Sequence, residues 1–350
     1  SLISENLDEL DTSYYKVLSI LKDDYNFKGG PFDSSYIHSY IQENGIDSDK
    51  YYAGLPVDQI IEYTKDFDER MEALHQLRKL RITKSALLKL SFCSESIAHI
   101  IFNTFGTVTG RIMAVEPPIQ FIKKKYRGVM IPQKDHDCLY IDYSNYEPSI
   151  LAFLSNDKNL ISAVNSGEFY NFIANSILDG DCSRDVAKIL FIQYSYGASI
   201  NTLKKYIHNK TGKSLDKAEL LASKMIEYFA GVEEWKRLIV NNIDNDRTIT
   251  PDMIMRRFSS KALSSDKTKR QIINHHVQSA GSVHLKKLIL LIKEQFPDVD
   301  ILVPMFDALL IQVPKGGVDY RKKLAELFVT SFEENFKGIK ICVIVSSEAH

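Results

Sequence analysis

Cysteine is scarce, tryptophan is nearly absent, and neither sign of charge dominates. The 350 residues hold four cysteines and one tryptophan, and the formal net charge is −1. Cys93, Cys138, Cys182 and Cys342 are scattered, and no pair has the Cys-x-x-Cys spacing of a zinc site. That usage fits a reducing, intracellular (cytoplasmic) setting. Cys138 and Cys342 lie in apolar, strand-like runs, which predicts small buried hydrophobes. Charge interrupts every apolar stretch within about ten residues, too short to span a bilayer, so no membrane role is expected. No signal-peptide pattern opens the chain, since residues 1–20 are acidic and amphipathic. The chain starts without Met, as a trimmed or excised piece does. Internal repeats and low-complexity linkers are also missing. Near-neutral charge counts against a polyanionic partner unless the basic residues cluster. They do cluster, at Lys123, Lys124, Lys125 and Arg127, at Lys204 and Lys205, and at Lys286 and Lys287. Such knots are most simply solvated faces and settle nothing alone.

What is present is an ordinary globular composition, 44% apolar and 25% charged. Disorder is excluded, and the length allows two or three folding units with a sizeable core. Helical spacing covers 1–25 and 54–90, where Leu74, Leu77, Leu80, Leu87 and Leu88 mark an apolar stripe. A Gly-Gly-Pro turn at Gly29–Pro31 precedes a short helix at Ser34–Glu43. Residues 137–142 read as a buried strand. Helical spacing returns over 145–178, 183–196, 215–241 and 270–295. Val299–Pro304 and Leu309–Val313 read as strands around a turn at Phe306–Ala308. A helix at 319–336 and a strand at 339–346 follow. Few strands, far apart in sequence and separated by helices, predict an α+β fold.

Two constellations carry chemistry. Asp142 ends a hydrophobic strand and Asp307 sits in a turn between two strands. Acids at strand ends are exposed enough and rigid enough to hold a metal. Brought together, two such carboxylates suit two Mg²⁺ ions about 3.5–4 Å apart. Singly, each reads as readily as a turn former or a helix cap, and spacing alone does not join them. The second constellation is Arg184, Lys188, Ile192 and Tyr196, spaced four apart on one helical face, with Gly197 next. Cations there would take phosphates, and the apolar end a sugar and base. A surface helix with a mixed face fits the same pattern.

In order along the chain, TGRIMAVEPPIQFI, DYSNYEPSILAFLSND, RDVAKILFIQYSYGAS, YFAGVEEW, INHHVQSAGSVHLKKLIL and VPMFDALLIQVP span residues 109–313. They resemble the motifs of the DNA polymerase I family, family A. The fingers helix RRxAKxxNFGxxYGMS matches without a gap. The resemblance implies a right-hand polymerase fold, with a small antiparallel palm sheet and helical fingers and thumb. Its expected divisions are a thumb-like region over 1–90, palm over 91–164, fingers over 165–269 and palm again over 270–350.

The resemblance also implies roles. Asp142 and Asp307, with the carbonyl of Tyr143, would ligate two Mg²⁺ ions, for which Mn²⁺ substitutes. Arg184 and Lys188 would neutralise triphosphate charge. Glu147 would be the gate against a ribose 2′-hydroxyl. Ile192, Tyr196 and Tyr170 would line the nucleotide. Arg111, Gln120, Arg270, Asn274 and Gln278, with Gly197 closing the helix end, would touch DNA from the minor-groove side. The implied partners are primer–template DNA and deoxynucleoside triphosphates, the implied state a monomer, and no proofreading exonuclease is expected in this chain.

The departures define a divergent branch. The fingers aromatic is Ile192, a fingers His is Tyr170, and the Arg after the sugar gate is Ser149. The His before the last catalytic Asp is Phe306, and the acid after it is Ala308. His275 and His276 fall at positions without a role in the motif and read as packing or surface residues. Trp235 reads as a core or subdomain contact. A single-subunit RNA polymerase relative would lack an acid at Glu147. A non-catalytic nucleic-acid-binding descendant would not keep Asp142, Asp307, Arg184, Lys188 and Tyr196 together.

Overall fold

The computed structural model describes residues 2–22, 34–45, 57–65, 67–92, 97–180, 182–243, 246–258, 265–316 and 319–347. The chain divides into two compact units, one of Ser1–Asn103 with Met113–Ile131, the other of Thr104–Ile112 with Pro132–Ala349. The expected boundaries at 90, 164 and 269 fall at other positions than these.

The first unit contains α1 (Leu2–Lys22), α2 (Ser34–Glu43), α3 (Val57–Thr64) and α4 (Glu69–Ser91), and the short antiparallel strands β1 (Ile101–Asn103) and β2 (Met113–Glu116). The helical pattern over 54–90 is thus two helices. α4 starts where the Asp68 carboxylate accepts the N–H of Met71 at 2.9 Å. Leu10, Val17 and Leu21 of α1 and Leu74, Leu77, Leu80 and Leu87 of α4 are buried. Leu88, expected in that stripe, is exposed. The turn at Gly29–Pro31 and Cys93 lie outside the described residues.

The second unit is built on one sheet. Its strands are β3 (His136–Tyr143), β6 (Asp300–Pro304), β7 (Ala308–Pro314) and β8 (Val343–Ser346), all antiparallel, in the order β6-β7-β3-β8. Helices α5 (Tyr146–Ser155), α6 (Lys158–Asn165), α7 (Phe169–Phe172), α8 (Arg184–Ser195), α9 (Ile200–Thr211), α10 (Leu215–Tyr228), α11 (Ala230–Asn241), α12 (Asp266–Gln295) and α13 (Tyr320–Asn335) surround it. Strands β4 (Arg247–Ile249) and β5 (Met255–Arg257) form a separate hairpin. Along β3, Leu139, Ile141 and Tyr143 are buried while Tyr140 and Asp142 are only partly so, the period-two alternation of a strand. β7 is buried from Ala308 to Val313, as a central strand must be.

α12 crosses the middle of this unit, with buried residues from Thr268 to Ile292 on more than one face. Its small stretch Ser279–Ser282 admits Tyr146, whose hydroxyl donates to Gly281 O at 2.8 Å. A Cβ at Gly281 would stand 2.9 Å from the Tyr146 ring, so Gly is required by close approach. Cys138 is buried as expected, but Cys342 is exposed, because the last strand begins at Val343 instead of 339. His275 and His276 are buried, and Trp235 packs edge-on against His276 at 6.2 Å. No helix among the described residues is long and apolar enough to cross a membrane.

Candidate active site

The sheet brings the two acids together. Asp142 is paired with Ala308 across β3 and β7, and the N–H of Tyr143 donates to Asp307 O at 3.2 Å. Asp307 leaves a three-residue γ-turn in which its N–H bonds back to Met305 O at 2.7 Å, with Phe306 at φ +65° between them. After β3 the chain reverses at Asn145, which holds a left-handed φ of +56°, so α5 starts at once and Glu147 joins the same cleft. Tyr143 is turned inward, its hydroxyl donating to Phe328 O at 2.7 Å and its ring stacked on Tyr146. What Tyr143 offers the cleft is main chain.

The cleft has a volume of about 250 Å³. Asp142, Asp307 and Glu147 line it together with Tyr170, Arg184, Lys188 and Ile192, residues separated by up to 165 positions in sequence (307 − 142). α8 supplies the cationic wall. It is capped by Ser183, whose hydroxyl accepts the N–H of Val186, and closed by Gly197 at φ +82°. Ala198 N–H bonds to Gln193 O and Gly197 N–H to Tyr194 O, the paired bonds of a Schellman end. Buried Lys236 of α11 secures this end, its Nζ donating to Tyr194 O and to Glu233 Oε1, both at 2.7 Å. The Arg184 guanidinium lies 5.4 Å from the Tyr170 ring centroid.

Glu147 has two partners. Oε1 accepts from Arg111 Nη2 at 2.6 Å, and Oε2 accepts the hydroxyl of Tyr196. Gln278 Nε2 reaches the Tyr196 hydroxyl at the limit of a hydrogen bond, 3.5 Å. Burial, followed by the negative charges of Asp142 and Glu147, pushes the Asp307 carboxyl up to about 7, while Arg111 pulls it back. Asp307 keeps an exposed surface in the cleft, so the like charges are the part of that shift that matters chemically. Two carboxylates, those of Asp142 and Asp307, short of a closed protein cage, fit a hard divalent cation that retains waters and phosphate ligands.

The residues expected at DNA are distributed differently. Arg270 and Gly197 line a second cavity of about 490 Å³ behind α8, with Lys236, Arg237 and Lys269. Asn274 has a buried Oδ1 without a hydrogen-bond partner. Gln120 belongs to the first unit and is buried there, its Oε1 accepting the N–H of Ala114 at 2.8 Å. That bond holds β2. Ser144, Pro148, Phe191, Ser195 and Ile344 also line this cleft, beyond the residues expected there. Phe191 is mostly buried against Phe169 and Phe229, so it does not replace the aromatic missing at Ile192. Ile344 stands opposite Asp142 on β8, which only the sheet register reveals.

The fold is similar to that of a solved structure described as the POL domain of Pol1 from M. smegmatis in complex with DNA primer-template and dNTP. The TM-score is 0.68 at 19% identity, covering 99% of this chain and 65% of that one. A sequence model of DNA polymerase family A matches residues 57–347, and the chain belongs to that family. It is 22% identical over 273 residues to DNA polymerase I of Aquifex aeolicus (strain VF5), covering 74% of this chain and 46% of that protein. It is 26% identical over 272 residues to DNA polymerase I of Geobacillus stearothermophilus, covering 70% and 30%. The chain therefore spans less than half the length of these relatives.

Proposed function

We propose that the chain is a template-directed DNA polymerase. It adds deoxynucleotides to a primer 3′ end by two-metal phosphoryl transfer, acting as a monomer on primer–template DNA. The observation that carries this reading is the meeting of Asp142 and Asp307 in one cleft whose wall presents Arg184 and Lys188. Asp142, Asp307 and the carbonyl of Tyr143 are the oxygen donors for two Mg²⁺ ions, which when bound lower the pKa of the 3′-hydroxyl and offset charge on the leaving pyrophosphate. Arg184 and Lys188, exposed and one turn apart on α8, neutralise the triphosphate oxygens as their charge shifts. Glu147, fixed from both sides by Arg111 and Tyr196, occupies the space a 2′-hydroxyl needs. In this reading 1–90 is the thumb, 165–269 the fingers, and the flanking segments the palm. These residues carry no exonuclease chemistry of their own.

Primer extension with Mg²⁺, run with deoxy- and ribonucleoside triphosphates in parallel, tests it. The unsubstituted chain should extend with deoxynucleotides. D142A and D307A should each abolish extension while retaining primer–template affinity, because the carboxylates serve the chemical step and the cations supply binding. Either variant working at a tenth of the normal rate sinks the assignment. Extension with ribonucleotides alone would make it an RNA polymerase, and binding without extension a non-catalytic relative.

A further inference from the structure

We infer that Phe306 is a positioning residue for Arg111: its ring and the Glu147 carboxylate together hold the guanidinium in the one orientation that serves the primer end. The inference rests on the polymerase reading above and adds a residue to it.

Arg111 comes from the loop Thr104–Ile112, and its backbone is fixed. Its N–H donates to Thr107 Oγ1 at 3.0 Å, and its carbonyl accepts from Gly106 N–H at 3.0 Å. The preceding Gly110 is tied to α12, with Ser282 Oγ and Lys286 Nζ both donating to its carbonyl at 2.5 and 2.6 Å. The side chain, with four rotatable bonds, is not fixed by that loop. Two contacts fix it. Glu147 Oε1 takes Nη2 along one edge, and the Phe306 ring lies under the guanidinium carbon, 5.2 Å from centroid to Cζ. The Arg111 and Glu147 side chains are only 25% and 31% exposed, so the cation is largely out of water, where an aromatic face attracts it more strongly. An edge contact leaves the guanidinium free to pivot about its bond to the carboxylate; a face contact removes that freedom.

Phe306 holds this place at a conformational cost. A bulky residue at φ +65° is disfavoured, and such outliers persist where surroundings over-determine them. The γ-turn that places the ring also places Asp307, one residue on. The ring beneath Arg111 and the catalytic carboxylate are thus two outputs of one turn, and the arginine is registered to the acid through it. An aliphatic residue would fill the volume without the ring's negative face, so shape alone does not substitute.

The test is a double-substitution cycle on primer extension at saturating nucleotide, with melting temperature as the check on folding. F306L should lower the extension rate about five- to tenfold, as loss of a partly desolvated cation–π contact does. F306Y should stay within about twofold. R111A should cost more than F306L, and F306L should add nothing in the R111A background. A purely structural role for Phe306 would leave its cost undiminished there. Additive losses, or failure of F306Y to rescue, overturn the inference while leaving the polymerase reading intact. Should F306L fail to fold, F306M takes its place in the same cycle: a cost beside Arg111 that vanishes in the R111A background supports the inference, and a cost undiminished there overturns it. Absence of any extension by the unsubstituted chain overturns the polymerase reading and this inference with it.

Discussion

Glu147 shows why a residue's role in the cleft cannot be assigned from size alone. It is at once the side chain expected to exclude a 2′-hydroxyl and the shared acceptor of Arg111 and Tyr196. E147A therefore removes bulk and releases two neighbours, whereas E147Q keeps the bulk. On the proposed reading E147A raises ribonucleotide incorporation relative to deoxynucleotide by about tenfold or more, and E147Q leaves that ratio within a few-fold. Competition assays with paired nucleotides decide it; equal ratios for both variants would mean another residue guards the sugar. Ile192 makes the complementary case. It lines the cleft but offers neither ring nor hydroxyl to a sugar. I192F should tighten nucleotide binding by about 1 kcal/mol, several-fold in KM, through added flat contact. I192Y should in addition increase use of dideoxynucleotides, because its hydroxyl can stand where the 3′-hydroxyl is missing. Ready use of dideoxynucleotides by the unsubstituted chain would contradict the register given to α8.

Among the elements, α8 was legible because it has a clear periodic pattern and a Gly at its end, and α12 because no Pro interrupts its 30 residues. The helical spacing over 145–178 belongs to several helices. Asn156, at a left-handed φ of +50°, ends α5, and Asp157 starts α6 by accepting the N–H of Leu160 at 2.7 Å. Likewise 215–241 breaks at Phe229 into α10 and α11. The two breaks are one device. The second oxygen of buried Asp157 accepts the N–H groups of Gly231 and Val232, at 2.7 and 3.3 Å, at the start of α11. One carboxylate thus satisfies the orphan donors of two helices separated by some seventy residues. D157A should destabilise the fold by about 3 kcal/mol, and D157N by less, since the amide oxygen still accepts one set. G231A should destabilise as well, because its Cβ would stand 2.8 Å from that oxygen. Denaturant unfolding measures all three, and D157A within experimental error of the unsubstituted protein would refute the double cap. α9 lies outside the helical stretches expected, although Ser199 and Gly212 mark its ends and Leu203 and Ile207 form its buried apolar face.

On the scale of the whole second unit, buried histidines make stability depend on pH. His284 is fully buried between Tyr146 and Ser331, and burial pulls it down to about 4; His276, against Thr248 and Trp235, is likewise held at about 4. An unfolded chain would protonate both near 6.5. The folded value is the lower one, so this contribution is complete above pH 6.5 and is lost as pH falls from 6.5 towards 4. The loss is on the order of 3 kcal/mol for each histidine once both forms are protonated. Melting temperature should fall across that window, and H284Q should flatten the fall. A profile unchanged by H284Q would show that carboxylates elsewhere govern the acid limb.

The sequence by itself determined the strong local elements and singled out most of the side chains that line the cleft. An apolar run ending in an acid at 137–142, a period of 3.6 along α8, and the order of the motifs are properties of neighbouring residues, and neighbours are what a sequence displays. It also made the α+β class plain, since few strands separated by helices leave little else. Only the tertiary structure decided that Asp142 and Asp307 share a cleft, because that depends on β3 pairing with β7 in one register, where a slip of one residue would turn Asp142 to the opposite face. It also decided that Gln120 is a buried strut, that Ile344 faces the acids, and that Glu147 is held by Arg111 and Tyr196. The last two follow from packing between segments remote in the chain, where side-chain volume and hydrogen-bond geometry select the partner and local spacing carries no record of it; Gln120 finds its partner six residues away, in a turn whose geometry no periodicity announces.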